Sequence, residues 1–316
     1  MANTILLALA PIFFVMALGY GAGRFRIVEN HHVDGLNALV MNFALPASLF
    51  AATASAPRSQ MLAQAPLFVI SSVVMLVIFL AWYFLQTRSP KANKADVSIQ
   101  ALTIAFPNLA GVGLPILMDV IGPAGTIPLA IVLAAGSIII SPLSLILVEF
   151  NDPKTTASAE SPRTRILRAL RHALTKPVVL APALGIIFAL CGLKMSPIID
   201  ASLLLIGHAA PGVALFLTGL VLSAQAFRLD RTVVAATVAA NIIRPLLTLG
   251  IVSVLAVSPE TAKVAILLAA VPSGFFGILF AVNYRLESAA AGSMVIASTL
   301  SSIVTMAIAI AVLYPQ

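Results

Sequence analysis

Residues Ala105–Pro115 read Ala-Phe-Pro-Asn-Leu-Ala-Gly-Val-Gly-Leu-Pro, inside an apolar run long enough to cross a membrane. Proline removes a backbone donor and collides with the carbonyl four residues back, so a regular helix does not pass through this stretch. Hydrocarbon offers no water to the freed groups, and such a break persists only against protein or a wet cavity. The break recurs as Ala270-Val-Pro-Ser-Gly-Phe-Phe-Gly277. Pro107 and Pro272 are 165 residues apart, and so are Pro46 and Pro211. Two landmarks at one offset argue for an internal duplication. Paired interrupted segments in matching halves are the sequence signature of a binding site in a membrane carrier.

Hydrophobic residues make up 60% of the chain and charged ones 9%, with a mean hydropathy of +1.08. These values exclude a soluble globule and leave little chain for a water-soluble domain. A net charge of +7 would suggest nucleic acid in a soluble protein. Here the basic residues fall in short loops, so the expected partner is the lipid bilayer and no nucleic acid. The single Cys191 excludes an intrachain disulfide and a thiolate metal cluster, and is expected as a small buried residue. Met1-Ala-Asn-Thr carries no basic stretch before its apolar run, while Arg24 and Arg26 follow it. The first helix is therefore expected to remain as an anchor with its start outside.

The fold expected is an all-α polytopic membrane protein with ten spans, each near the ~20 residues that cross the hydrocarbon. They run 4–23, 33–53, 64–87, 96–118, 126–149, 177–193, 201–225, 232–256, 261–283 and 288–313. Fourteen lysines and arginines fall in one alternating set of loops and three in the other, which places both termini outside. Trp82, Tyr20, Tyr83 and Tyr284 fall at inner span ends, where an aromatic belt belongs. Residues 1–150 form the first five-helix repeat, 151–176 a cytoplasmic linker, and 177–316 the second repeat. Five is odd, so the second copy enters the membrane inverted. Within the linker, Arg163–His172 reads as a basic amphipathic helix, lying on the anionic leaflet or serving as a solvated, topology-setting segment. At ~1.5 Å per residue, Pro107 and Pro272 each lie roughly 16 Å deep, from opposite faces. Helices four and nine are thus expected to be broken and to cross at the midplane.

That crossing supplies the candidate binding residues Pro107, Asn108, Gly111, Gly113 and Pro115, then Pro272, Ser273, Gly274 and Gly277. Half-helix N-termini offer N–H groups to an anion. Asn108 adds a neutral amide that donates without the expense of a buried charge. Arg244 is the one formal charge deep in a span, with Asn241 and Thr248 at i−3 and i+4 on the same face. It reads either as a fixed cation favouring an anionic substrate or as a group that stabilises carbonyls freed by the breaks. Asn37, Asn42, Gln100 and Asn283 read as interhelical amides. Asn42, one turn before Pro46, is the one expected to face a cavity. His208 reads as a packing histidine, and Asp119 and Glu149 as interfacial charges.

No phosphate-cradling loop, His-Glu-x-x-His or Gly-x-Ser-x-Gly is present, so ATP drive within this chain and hydrolase chemistry are not expected. The chain is not read as an enzyme. No cofactor or metal is expected, and the coupling ion, sodium or proton, stays open.

Three segments resemble the auxin efflux carrier family: Asn42-Phe-Ala-Leu-Pro-Ala-Ser-Leu-Phe50, Phe106-Pro-Asn-Leu-Ala-Gly-Val-Gly-Leu-Pro115 and Val271-Pro-Ser-Gly-Phe275. The resemblance covers essentially the whole chain. It implies ten helices in two inverted repeats, with helices 1, 2, 6 and 7 as a scaffold, often dimeric. Helices 3–5 and 8–10 would move as an elevator-like unit. It also implies a secondary transporter of malonate, malate or related carboxylates, and maps the family's substrate-binding asparagine onto Asn108. Ser273 departs from the plant pattern, which has asparagine after the second proline. Alternatives are a sodium-coupled carrier resembling the bile acid symporters, or a channel or receptor for a small anion.

Overall fold

The computed structural model describes residues 2–29, 33–90, 92–151, 162–225, 227–278 and 289–315. Among them the regular elements are helical, and Pro107 and Ser273 form an isolated antiparallel bridge. The chain up to residue 151 holds α1 (Ala2–Arg24), α2 (Val33–Ala54), α3 (Ala65–Gln86), α4 in two halves (Lys94–Ala105 and Leu109–Val120) and α5 (Pro123–Asn151). A linker helix, Pro162–Leu174, follows. Then come α6 (Pro177–Leu190), α7 (Pro197–Ala224), α8 (Arg231–Val254), α9 (Pro259–Ala270) and α10 (Ala289–Leu313). Among the described residues six helices, α2, α3, α5, α7, α8 and α10, are long and apolar enough to cross a membrane. α4 and α9 stop at the two proline breaks. Residues 279–288, including Asn283 and Tyr284, lie outside the described residues.

Proline shapes these helices through one recurring device. Pro46, Pro115, Pro142 and Pro245 each follow by two residues the end of a π-turn, at Val40–Ala44, Leu109–Gly113, Gly136–Ile140 and Ala239–Ile243. In all four the residue just before proline donates its N–H five residues back: Leu45 to Val40, Leu114 to Leu109, Ser141 to Gly136 and Arg244 to Ala239. A regular turn would press the proline ring onto a carbonyl. One inserted residue widens the turn and lets the helix continue. Pro211 is housed differently, by a one-residue turn at His208 that interrupts α7.

α1 lies along α7 at backbone contact distance. A Cβ on Gly19 would come 2.0 Å from the Phe216 carbonyl oxygen, and one on Gly219 would come 1.9 Å from that of Met16. Gly23, one turn further along α1, is likewise pressed against Ser223 of α7, where a Cβ would come 2.0 Å from its Oγ. α2 packs against α6 and α7, so α1, α2, α6 and α7 form one group. α3 and α5 flank the first half of α4, while α8, α9 and α10 pack on one another and on α3 or α4. Between the groups, α7 meets the turn Leu109–Gly113 and α2 meets α5.

Three side chains sit otherwise than their sequence positions suggest. Trp82, expected in an interfacial belt, is buried and donates from Nε1 to Gln100 Oε1 at 3.4 Å, because α4 presents that amide to α3. Glu149 is also buried, since the linker helix packs against this end of α5. Cys191, expected inside, is exposed where α6 ends and the chain turns.

Gly19→Ala is expected to lower the melting temperature of the detergent-solubilised protein, because overpacking costs about 1–3 kcal/mol. Gly21→Ala, where a Cβ would find its nearest neighbour at 4.0 Å, should leave it unchanged. Equal melting of both variants with the wild type would contradict the α1–α7 contact.

Candidate functional site at the helix crossing

Phe106 leaves α4 in an extended conformation, and Val271 does the same after α9. The two short extended stretches run antiparallel. Asn108 N–H donates to Pro272 O at 2.9 Å, and Gly274 N–H donates to Phe106 O at 3.0 Å. Residue 107 thus faces 273, and 108 faces 272. Gly274 makes the approach possible, since a Cβ there would lie 2.4 Å from Phe106 O. Phe106 and Phe276 stack beside it with centroids 5.0 Å apart. The amides of Asn108 and Gly274 thus find acceptors across the crossing, as hydrocarbon surroundings demand.

The freed carbonyls are met by Arg244, whose side chain is 0% exposed. Nε donates to Ala269 O at 2.8 Å, and the two terminal nitrogens donate to Ile104 O and Val271 O. These oxygens lie at the C-terminal ends of α9 and of the first half of α4, where no following turn supplies an N–H. They are also the negative ends of two helix dipoles. Of the two readings of Arg244, the geometry matches the second: it ties carbonyls at the breaks. A cavity of about 10 Å³, room for about one water, lies beside it between Ser71, Pro107, Arg244 and Thr248.

Asn241 takes a different route to the same place. Its Nδ2 donates to Ser298 O and Ser301 Oγ, both at 2.8 Å, and its Oδ1 accepts from Ser298 Oγ at 2.5 Å. Ser298 Oγ in turn accepts from Ser273 N–H at 2.9 Å. Asn241 therefore supports the second break through α10. Asn241 lies within the π-turn Ala239–Ile243 and Arg244 directly follows it, and the two share no described side-chain partner despite their i, i+3 spacing.

Asn108 is 1% exposed and caps the turn that follows it, Oδ1 accepting from Gly111 N–H at 3.0 Å. Its Nδ2 donates to Thr218 Oγ1 on α7 at 3.4 Å. Gly111 and Gly113 are buried in the capped π-turn. Pro272 and Ser273 are buried opposite, and the Ser273 hydroxyl has no hydrogen-bond partner among the described residues. Asn42 is not brought to this place. It lies exposed on an outer groove of about 630 Å³ beside Phe43, Pro46 and Phe50. Thr218, Ser298 and Ser301 were missed in the sequence. The run Ser298-Thr-Leu-Ser-Ser302 inside the last apolar span is the signal that points to two of them.

Arg244→Gln should destabilise the protein by about 3–5 kcal/mol, as loss of one partner does in a buried charged network. Arg244→Lys should fall nearly as far, because an ammonium lacks the planar fork. A melting temperature unaltered in both would show that the guanidinium is not needed at the breaks.

The chain matches the family described as membrane transport protein over residues 4–310. It is 30% identical over 301 residues to the "Uncharacterized transporter YfdV" of Escherichia coli (strain K12), an alignment covering 94% of each chain. It is 24% identical over 330 residues to "Auxin efflux carrier component 8" of Arabidopsis thaliana, covering 89% of each. Against "Probable auxin efflux carrier component 3b" of Oryza sativa subsp. japonica it is 25% identical over 173 residues, 53% of this chain and 29% of that one. A family match along nearly the whole length, relatives that are transporters, and apolar helices long enough to span a bilayer lead to one conclusion: the chain belongs to the auxin efflux carrier family of membrane transporters.

Proposed function

We propose that this chain is a secondary active transporter of small organic anions, malonate-, malate- or auxin-like carboxylates, working by elevator-type alternating access in the inner (plasma) membrane. The observation that carries the reading is the pairing of 107 with 273 and 108 with 272. A twofold operation that exchanges 107 for 272 and 108 for 273 maps this pairing onto itself. The 165-residue offset between the proline landmarks demands that relation. It supports two inverted five-helix repeats whose broken members meet at the midplane. Helices α1, α2, α6 and α7 serve as the scaffold, through which a homodimer would form, and the other six move. The bias of basic residues in the loops supports both termini outside.

Carboxylate recognition follows from the donors at the crossing. Asn108 Nδ2 and the Ser273 hydroxyl are neutral, buried and on the two facing strands. Such groups replace the water an anion leaves behind. The auxin efflux carriers among the relatives point the same way, auxin itself being a carboxylate. A bile-acid-symporter-like scheme would hold sodium on carbonyls at the breaks. Three of those carbonyls are occupied by Arg244, which favours sodium-independent transport.

Liposomes containing the purified protein and loaded with unlabelled malonate should accumulate labelled malonate by counterflow, saturably and equally in sodium or choline buffer. Asn108→Ala should insert normally and lower the flux roughly ten- to hundredfold, since a hydrogen bond to a charged group is worth about 1.5–3 kcal/mol. Flux that never saturates would indicate a channel. Wild-type flux in the variant would remove Asn108 from the site, and strict sodium dependence would restore the symporter scheme.

A further inference from the structure

We infer that Thr218 latches α7 to the broken helix, and that a substrate carboxylate opens the latch by replacing Thr218 as the acceptor for Asn108 Nδ2–H. This rests on the carboxylate reading above and adds how binding is coupled to movement. Thr218 is 1% exposed, and its own hydroxyl proton is committed to Ala214 O at 2.8 Å. Towards Asn108 its Oγ1 therefore acts as an acceptor only. The Asn108 amide is oriented by Gly111 N–H, which holds Oδ1 and leaves Nδ2 aimed at Thr218. Of the two Nδ2 hydrogens, the one aimed at α7 is held by Thr218, so an anion entering between α7 and the crossing competes with Thr218 for that hydrogen.

The local packing is arranged around this contact. A Cβ on Gly111 would come 2.6 Å from Thr218 Oγ1, so only glycine lets α7 approach so closely. The next residue, Gly219, seats α7 against Met16 of α1 at the same level. Thr218 is therefore presented from a helix pair that holds its position, while Asn108 belongs to the other group of helices. At 3.4 Å the bond is long for N–H···O between neutral groups. A carboxylate oxygen would accept the same proton at ~2.7–2.9 Å with roughly twice the strength. Exchange in the direction of the anion is favourable, and it removes the polar tie between the two groups.

Two measurements on the purified full-length protein test this. Without ligand, melting temperatures of Asn108→Ala, Thr218→Val and the double variant should be non-additive, because the residues share one bond. Strict additivity overturns the latch, whatever the substrate. With malonate as the probe, Thr218→Val keeps the shape of the side chain but removes the acceptor, so malonate should bind about two- to tenfold more tightly. Thr218→Ser, which keeps the hydroxyl, should restore the wild-type affinity. Unchanged or weaker binding by Thr218→Val overturns the displacement step, since loss of a merely structural residue would loosen the site. If no variant responds to malonate while melting stays non-additive, the carboxylate reading and the displacement step both fall and only the interhelical contact stands.

Discussion

A helix that stops inside hydrocarbon leaves carbonyls with nothing to accept from, and two such stops here converge on one guanidinium. Arg244 supplies three donors in a rigid plane, reaching both helix ends and the extended residue beyond one of them. A lysine could not serve three oxygens in a fixed fan, and a neutral side chain would not balance two negative dipole ends. With the carbonyls tied, the facing amides pair across the crossing through Asn108 and Gly274.

The crossing is held differently on its two sides. Towards α10 the second break hangs on a buried network of Asn241, Ser298 and Ser301, with each bond at 2.9 Å or less. Towards α7 the described polar link is the single long bond from Asn108. Short, interlocked bonds resist exchange, while a lone stretched one yields readily. That asymmetry agrees with the division of helices by packing, in which α10 packs with the crossing and α7 with α1.

Much of this was legible in the chain because proline and glycine act locally. The breaks, their spacing and the residues flanking them follow from missing donors and absent side chains, which need no knowledge of neighbours. Asn108 was read from the sequence as an amide donor, and its capping of Gly111 N–H appears only with the turn Leu109–Gly113 in place. Partners do not follow in this way. Thr218 is a lone hydroxyl in an apolar span, and its meaning appears only when α7 is laid against Gly111. Glu149 and Trp82 looked interfacial by distance along their helices, yet a packed linker and a facing amide enclose them. The i, i+3 spacing of Asn241 and Arg244 promised a shared face, yet Asn241 sits inside a widened turn and reaches α10 while Arg244 reaches the breaks.

That widened turn reaches further than its five residues. A helix with one extra residue in a turn is out of phase beyond it, by about 100° relative to an uninterrupted one. Pro245 pins the extra residue in place, so the offset is permanent and not free to drift along α8. The azimuth at which Arg244 meets two helix ends is in this sense written by the residue that follows it. Pro46, Pro115 and Pro142 stand at the same remove from their own turns, and act as clock settings for three other helices.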